Sequence, residues 1–340
     1  MKDTLILAIE SSCDETAVAI IKNGKDIVSN IVATQIDVHK EFGGVIPEVA
    51  SRIHVENISM VIKRALDEAK MSVADVDAIA FTRGPGLIGS LHVGVQAAKT
   101  LAWAYNKPLV PVHHIAGHIF ANNLVEDIVF PLLAIVVSGG HTELVYMKDE
   151  ISYEVLGTTQ DDAIGEAFDK VGRVLGLPYP GGVYIDKIAK DGQNIYKLPH
   201  PKAEKELDFS FSGLKSGVLQ FINRMERNNE TFKPEDLACS FQETAISVLL
   251  ERANKAIMQC KPKMVVLAGG VAANSCLRRE VSELMNKEYP QVKLIIPPLK
   301  CCTDNAAMIG VAGYVAYKHG VRGEFSVSAK PSIELETIKE

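Results

Sequence analysis

Hydrophobic positions follow two alternating periods along the chain. Short runs rich in β-branched residues, typical of buried strands, are followed by longer segments with an apolar residue every three or four positions, typical of helices. In the first third of the chain the strand-like runs cover residues 4–9, 17–21, 78–81 and 109–112. This alternation of strands and helices predicts an α/β fold.

A second copy of the same arrangement begins near residue 133. Residues 7–16 align without a gap over residues 133–142, and Leu, Ala, Ile, Ser and Thr coincide. Each copy predicts a hairpin with a polar tip. The downstream strands correspond in the same order, at residues 78–81 and 264–268 and at residues 109–112 and 292–296. Chance similarity of two hairpins would not extend to these later strands, so the repeat predicts two similar domains around a cleft.

The repeat sets the expected domain boundaries. We expect an N-terminal domain over residues 1–128, a C-terminal domain over residues 129–326 and a tail over residues 327–340. The C-terminal domain would carry an inserted helical segment at about residues 159–240. A helix at about residues 305–322 would pack back at the cleft.

Glycine-containing loops follow corresponding strands in both halves. Arg83-Gly84-Pro85-Gly86 ends one strand and Gly269-Gly270 ends its counterpart. Glycine lets backbone N–H groups turn toward an anion, and the helix that follows presents its positive end. Loops of this kind predict phosphate binding in the cleft. The chain lacks G-x-x-x-x-G-K-[ST] and G-x-G-x-x-G, which excludes the P-loop and Rossmann classes.

The composition of the chain indicates the cellular environment in which it works. The 340-residue chain has a net charge of −6, and its longest apolar run, residues 130–137, is far shorter than the roughly 20 residues of a membrane span. The N-terminus does not resemble a signal peptide, and six scattered cysteines form no C-x-x-C pair. These features predict a reduced cytoplasmic protein with no membrane contact. The acidic balance, taken alone, argues against a nucleic-acid substrate.

Two histidines predict a metal site. His114 and His118 are four residues apart directly after a strand, so on a helix they share one face and can chelate one ion, whereas His113 points elsewhere. Asp304 stands at the corresponding helix start of the second half, where it could supply a carboxylate or serve as the N-cap. Two histidines and one carboxylate leave coordination positions open, as in catalytic sites, and suit either iron(II) or zinc.

A metalloprotease is the alternative interpretation of this histidine pair. The zincin helix has the pattern H-E-x-x-H, in which glutamate beside the first histidine acts as general base. Ile115 occupies that position here. The sequence therefore argues against proteolysis.

The region between the repeats carries three further candidate segments. Residues 159–172 predict a helix whose polar face is either solvated or functional. Residues 179–186 predict a rigid turn followed by the carboxylate of Asp186, which could bind a polar substrate. Residues 208–217 contain Phe209 and Phe211, which would either stack on a base or pack inward.

Five motifs stand out: His113-His114-Ile115-Ala116-Gly117-His118, Val137-Ser138-Gly139-Gly140-His141-Thr142, Gly165-Glu166-Ala167-Phe168-Asp169-Lys170, Phe211-Ser212-Gly213-Leu214-Lys215 and Cys302-Thr303-Asp304-Asn305. Together they resemble the TsaD family, the tRNA N6-adenosine threonylcarbamoyltransferases. They occur in the family's order between about residues 4 and 325, and the paired histidines distinguish the chain from sugar kinases and chaperone ATPases of the same fold. One departure is Val183, where the bacterial family pattern has proline.

The resemblance implies a duplicated actin-like ATPase fold and a specific reaction. The chain would transfer threonylcarbamoyl from threonylcarbamoyl-AMP to N6 of the adenosine next to the anticodon, in tRNAs reading codons that begin with A, and release AMP. One divalent metal per subunit, either iron(II) or zinc with iron(II) preferred, would be held by His114, His118 and Asp304. The residues implied to bind the intermediate are Val137, Ser138, Gly139, Gly140, His141, Asp169, Gly182, Asp186 and Asn274.

The resemblance also implies partners. Family members work with a degenerate paralogue (TsaB-like) and a small ATPase (TsaE-like), and the chain alone could form a homodimer.

Two other functions would suit parts of the sequence. A nucleotide-binding kinase or regulatory ATPase of the same fold explains the loops but leaves the paired histidines without a role. A non-catalytic scaffold would be expected to have lost the metal ligands.

Overall fold

The computed structural model describes residues 3–336, which form two compact units. Unit 1 contains the chain up to Ile128, the short segment Asp149–Glu154 and the chain from Thr303 onward. Unit 2 contains Val129–Lys148 and Val155–Cys302. Of the expected tail, residues 337–340 lie outside the described residues.

Each unit is built on one five-stranded mixed sheet. Unit 1 contains β1 (Leu5–Glu10), β2 (Glu15–Lys22), β3 (Asp26–Thr34), β4 (Ala78–Gly84) and β5 (Leu109–His113). Unit 2 contains β6 (Leu132–Val137), β7 (Thr142–Met147), β8 (Glu154–Thr158), β9 (Met264–Ala268) and β10 (Lys293–Ile295). The order in the first sheet is β3-β2-β1-β4-β5, and the second sheet has the equivalent order β8-β7-β6-β9-β10. The predicted α/β fold and internal duplication are confirmed.

The strand pairing is also the same in the two sheets. β1 runs antiparallel to β2 and parallel to β4, as β6 does to β7 and β9. The central strands are buried because helices cover them, which accounts for their continuous apolar sequences. Each sheet therefore presents a hairpin tip next to the carboxyl end of a parallel strand, where ligands bind in open α/β sheets.

Ten α-helices accompany the strands among the described residues. They are α1 (Ile36–Phe42), α2 (Pro47–Ala69), α3 (Ile88–Tyr105), α4 (His114–Phe120), α5 (Ile164–Val174), α6 (Gly181–Ala189), α7 (Ser212–Arg227), α8 (Pro234–Cys260), α9 (Ser275–Glu288) and α10 (Ala306–Lys318). None of these ten has both the length and the apolar composition needed to cross a membrane.

The position of α10 differs from the expected domain division. Residues up to 326 were assigned to the C-terminal domain, although the last helix was expected to pack back. In the structure α10 packs against β1, β2 and β4 and belongs to unit 1. Glycines on α10 make this possible, because a Cβ on Gly310 would lie 2.4 Å from Ile21 and one on Gly313 would lie 2.5 Å from Ala80. The close approach of helix and sheet requires a residue without a side chain.

Candidate metal centre and unit 2 wall

A cluster of two histidines and one carboxylate lies in unit 1. The chain leaves β5 and turns directly into α4, whose first and fifth residues are His114 and His118. Their rings stand nearly perpendicular, with centroids 4.7 Å apart. Oδ1 of Asp304, which precedes α10, lies 3.7 Å from Nε2 of His114 and 3.1 Å from Nε2 of His118. The structure thus brings together the three residues predicted as metal ligands, with one ligand atom of each within 4.8 Å of the others.

The polar atoms of His118 fit a metal ion. Both ring nitrogens are buried, and neither makes a hydrogen bond within the described part of the chain. A buried polar group left unsatisfied costs about 1–3 kcal/mol, and coordination of a cation by Nε2 would remove part of that cost. Two imidazole nitrogens and a carboxylate oxygen are a donor set suited to zinc or iron(II). The residues present could therefore hold a divalent metal.

A buried carboxylate that the sequence analysis missed orients His114. Nδ1 of His114 lies 3.2 Å from Oε2 of Glu10 and 3.2 Å from Oγ of Ser12. Glu10 is fully buried at the end of β1, where it also accepts hydrogen bonds from the N–H of Ser12 at 2.5 Å and from the hydroxyl of Thr82 at 2.6 Å. Such a carboxylate–histidine pair fixes the ring so that Nε2 is free to bind a metal.

The two groups also shift each other's pKa. Burial alone would lower the pKa of His114, but the carboxylates of Asp304 and Glu10 raise it to about 9. Burial opposes ionisation of Glu10, yet the facing His114 lowers the pKa of this carboxyl. The cluster is therefore a strongly anionic environment that favours a cation.

Asp304 does not cap α10. The N-cap is Asn305, whose Oδ1 accepts a hydrogen bond from the N–H of Met308 at 3.2 Å. The alternative interpretation of Asp304 as the N-cap is wrong by one residue. Its carboxylate is consequently not needed to start the helix and faces the two histidines.

His113 points away from the cluster, as its position on the helix predicted. Nδ1 of His113 accepts a hydrogen bond from the N–H of Ile115 at 3.2 Å, so His113 caps α4. Nε2 of His113 donates to the carbonyl oxygen of Ile333 at 3.1 Å. Burial lowers the pKa of this imidazole to about 4, so it is neutral at physiological pH.

The hairpin tip of unit 2 is open. The N–H of Ser138 donates to the carbonyl of His141 at 2.8 Å, and the N–H of His141 donates to Oγ of Ser138 at 3.0 Å. Gly139 and Gly140 between them are exposed, and a Cβ on either would meet nothing within 4 Å. Val137, the residue before the tip, is buried at the end of β6. The tip thus presents backbone to solvent without steric cover from unit 2.

Two further glycines hold this tip in place. The N–H of Gly165, in the first turn of α5, lies 3.3 Å from the carbonyl oxygen of Ser138, and a Cβ on Gly165 would lie 2.9 Å from Cα of Gly139. On the other side, Gly269 has φ +94°, and a Cβ there would lie 2.4 Å from the carbonyl oxygen of Val137. The sequence predicted Gly269 as part of a phosphate loop, and the structure shows that this loop contacts the tip.

A chain of contacts in unit 2 joins this tip to the remaining predicted residues, Asp169, Gly182, Asp186 and Asn274. We call the tip and these residues the unit 2 wall. α5 carries Asp169, whose Oδ1 accepts a long hydrogen bond, 3.4 Å, from the N–H of Gly182 in α6. Burial raises the pKa of Asp169, although the N–H groups of Gly182 and Gly181 act to lower it. One turn further along α6, Oδ1 of Asp186 accepts hydrogen bonds from the N–H and hydroxyl of Ser275, at 3.2 and 2.7 Å.

Asn274 ends the wall and has a structural role. Its Oδ1 accepts from the N–H of Leu277 at 2.9 Å and caps α9, and its Nδ2 donates to Oε1 of Gln242 at 2.7 Å. An amide has four hydrogen-bonding positions, so one donor and one acceptor site remain. Gln242 and Ser275 escaped the sequence analysis because their roles depend on contacts between α6, α8 and α9.

The segment at residues 208–217, which enters α7 at Ser212, does not present aromatic rings for stacking. Phe209 and Phe211 are fully buried and stack on each other, with centroids 6.1 Å apart. Asp161 fixes this segment by accepting hydrogen bonds from Ser210 and from the N–H groups of Phe211 and Ser212. The expectation that these rings could stack on a base is wrong, and the alternative that they pack inward is confirmed.

The repeated sheet order, the polar tips and the glycine loops define a duplicated actin-like fold of the ATPase class, with a candidate metal centre in unit 1. Solved structures show the same fold at low identity. Full-length HypF in the phosphate- and nucleotide-bound form has a TM-score of 0.62 and 14% identity, over 96% of this chain and 56% of that protein. The activator of the 2-hydroxyisocaproyl-CoA dehydratase from Clostridium difficile has a TM-score of 0.55 and 15% identity, over 93% and 96%.

Sequence relatives identify the family. The family model for TsaD, tRNA N6-adenosine threonylcarbamoyltransferase, matches residues 26–311. The tRNA N6-adenosine threonylcarbamoyltransferase of Bacillus subtilis (strain 168) is 56% identical over 98% of this chain and 96% of that protein. The one from Staphylococcus carnosus is 54% identical over 98% and 97%. The chain belongs to the TsaD family, as its motifs indicated.

Proposed function

We propose that this chain transfers the threonylcarbamoyl group of threonylcarbamoyl-AMP to tRNA, forming t6A next to the anticodon in tRNAs that read codons beginning with A. The observation that carries this proposal is identity of 54–56% with threonylcarbamoyltransferases over nearly the whole chain. The clustered His114, His118 and Asp304 support it, because a kinase or regulatory ATPase of this fold would give that cluster no role.

The reaction balances without a protein nucleophile. The N6 amine of the adenosine attacks the carbamoyl carbon, a C–N bond forms and the C–O bond to the phosphate breaks. AMP leaves with the electron pair, and the amine loses a proton to solvent or to the leaving group. The protein's task is therefore to bind both substrates, orient them and stabilise negative charge on the carbonyl and phosphate oxygens.

The open tip of unit 2 suits the phosphate and carbamoyl part of the intermediate. The exposed backbone of Gly139 and Gly140 lets an anion approach to hydrogen-bond distance. The first turn of α5 lies against the tip through Gly165, and a helix N-terminus favours negative charge. In this proposal Val137 fixes the start of the tip, and Ser138 and His141 hold its shape through the hydrogen bonds between them.

The rest of the wall suits the nucleoside. Asp169, Gly182, Asp186 and Asn274 would contact the ribose, the adenine or the tail of the intermediate. Their hydrogen bonds within the protein fix their orientation before the ligand binds, which reduces the entropy lost on binding.

We assign iron(II) or zinc to the cluster in unit 1, with iron(II) preferred. His114, His118 and Asp304 would hold the ion, which would supply a Lewis acid when bound. Glu10 would keep Nδ1 of His114 engaged so that Nε2 faces the ion.

The proposed setting is the bacterial cytoplasm, in a complex with a degenerate paralogue and a small ATPase, with a homodimer formed when the chain is alone. A chain with a net charge of −6 needs a local basic surface or a partner's surface to hold tRNA, and this requirement supports the proposed partners.

The test is direct. The protein and its partners are incubated with threonylcarbamoyl-AMP and unmodified tRNA. The tRNA is then digested, and its nucleosides are separated and analysed by mass spectrometry. The proposal expects t6A and an equal amount of AMP. AMP without t6A would indicate hydrolysis of the intermediate, and no consumption of the intermediate would refute the transferase assignment.

A further inference from the structure

The C-terminal segment, residues 328–333, crosses the loop that follows β4. The N–H of Lys330 donates to the carbonyl of Arg83 at 2.9 Å, and the N–H of Gly86 donates to the carbonyl of Pro331 at 3.1 Å. The approach is so close that a Cβ on Gly84 would lie 2.0 Å from the carbonyl oxygen of Lys330. Ala329 is buried in the core of unit 1. This segment is therefore a packed part of unit 1.

The same segment reaches the helix that carries both histidine ligands. The imidazole of His113 lies between the segment and α4. Its Nδ1 accepts a hydrogen bond from the N–H of Ile115 and caps α4, and its Nε2 donates a hydrogen bond to the carbonyl of Ile333. Because Nδ1 acts as an acceptor, the ring's single proton is on Nε2, where the Ile333 carbonyl receives it. One side chain thus joins the start of α4 to a residue 220 positions away.

A second route leads from the segment to the cluster through the loop after β4. Pro331 holds Gly86, and a Cβ on Gly86 would lie 2.5 Å from the carbonyl oxygen of Ser12. The N–H of Leu87 donates to that same carbonyl at 2.7 Å. Ser12 in turn places its hydroxyl 3.2 Å from Nδ1 of His114. The first route ends at the N–H of Ile115 in the first turn of α4, and the second ends at the imidazole of His114.

We propose that residues 328–333 position the metal centre. His113 is the positioning residue, because its imidazole connects this segment to the start of α4. The segment fixes the start of α4 and so sets where His114 and His118 present their nitrogens before an ion binds. This inference rests on the proposed metal centre. Without these contacts to the segment, the first turn of α4 would sample more orientations. Ordering that turn when a metal binds would cost entropy and would therefore reduce the affinity for metal.

The test measures Co²⁺ affinity by competition with a chromogenic chelator, so it does not depend on activity. A chain that ends at Ser332 lacks the Ile333 carbonyl, and a chain that ends at Glu336 keeps it and is the matched control. In the full chain, His113→Asn retains a side-chain acceptor suited to an N-cap but is too short to reach Ile333. The fourth protein combines His113→Asn with the end at Ser332.

We expect about 10-fold weaker Co²⁺ binding for the chain ending at Ser332 and for His113→Asn, the lower part of the range for residues that orient metal ligands. The chain ending at Glu336 should bind as the full chain does. The combined protein should bind no more weakly than either change alone, because both break one hydrogen bond. Unchanged affinity at Ser332, or two losses that multiply, would overturn the proposal.

A His118→Ala variant separates this inference from the metal centre itself. If the full chain binds Co²⁺ and His118→Ala does not, the centre stands and the four proteins decide the role of the segment. If the full chain binds no Co²⁺ above the level of His118→Ala, the metal centre fails, and the positioning role fails with it. Should the shortened chain not fold, the comparison of full-length His113→Asn with wild type decides the matter alone.

Discussion

Oε2 of Glu10 lies 3.2 Å from Nδ1 of His114, joining the tip of the first hairpin to the helix that carries the candidate metal ligands. The equivalent hairpin of unit 2 has Val136 at the position of Glu10, and its tip is open at Gly139 and Gly140. The duplicated hairpins have therefore diverged. In our account the first orients a metal ligand and the second receives the phosphate.

Changing Glu10 should weaken metal binding while the protein stays folded. Glu10→Ala removes the acceptor for His114, and carboxylates in this position typically contribute 10–100-fold to metal affinity. Glu10→Gln keeps an acceptor oxygen without the charge and should lose less. Zn²⁺ affinity measured by chelator competition tests this, with Glu56→Gln, an exposed residue of α2, as the charge control. Equal affinity in Glu10→Ala and wild type would remove Glu10 from the account.

Asp304 and Asn305 should have separable roles. Asp304→Asn retains shape but removes the carboxylate, so metal content should fall while thermal stability changes little. Asn305→Ala removes the cap of α10 and should cost about 0.5–2 kcal/mol of unfolding free energy, with the metal retained. Denaturant unfolding and metal analysis of the two variants decide this. The reverse pattern would make Asp304 the structural residue.

A side chain at Gly140 should block the intermediate without disturbing the fold. A Cβ there meets nothing within 4 Å, so Gly140→Val should change the unfolding free energy by under about 0.5 kcal/mol, as surface substitutions usually do. The affinity for a non-hydrolysable threonylcarbamoyl-AMP analogue, measured by calorimetry, should fall at least about 10-fold, with metal content unchanged. Undiminished affinity would move the nucleotide away from residues 137–141.

Glu143 should make unfolding pH-dependent. Burial raises the pKa of this carboxyl in β7 from an ordinary 4.5 to about 7. The folded state therefore favours the protonated form of Glu143. The contribution of this group to the unfolding free energy is fully present below pH 4.5 and is lost as pH rises to about 7. Between these two pH values the unfolding free energy should fall by about 3 kcal/mol.

The variant Glu143→Gln should remove most of this dependence. It should be more stable than wild type at pH 8, by up to about 3 kcal/mol, and similar at pH 4.5. Denaturant unfolding at the two pH values is the measurement. An equal difference between the two proteins at both pH values would mean that Glu143 titrates normally.

The local and repeated features of this protein were predictable from its sequence. The match of residues 7–16 to 133–142 predicted two equivalent sheets, because an ungapped repeat of strand, tip and strand preserves the pairing. The spacing of His114 and His118 predicted a shared helix face, which α4 provides. Such features depend on periodicity within a few residues.

The contacts that orient the site were not predictable in the same way. Glu10 and His114 are 104 residues apart, and no periodic pattern relates a buried strand end to a distant helix. The cap of α10 falls on Asn305 rather than its neighbour Asp304, and both residue types are good N-caps, so only backbone geometry distinguishes them. The buried stacking of Phe209 and Phe211 likewise depends on tertiary packing.

The metal content of a protein lacking both histidine ligands tests the central claim most directly. His114→Ala/His118→Ala and a control, His92→Ala at an exposed position of α3, are purified with wild type under identical anaerobic conditions and analysed for iron and zinc. The account predicts one equivalent of divalent metal in wild type and in His92→Ala, and none in the double variant, with all three folded. One equivalent of metal retained in the double variant would contradict the assignment of His114, His118 and Asp304.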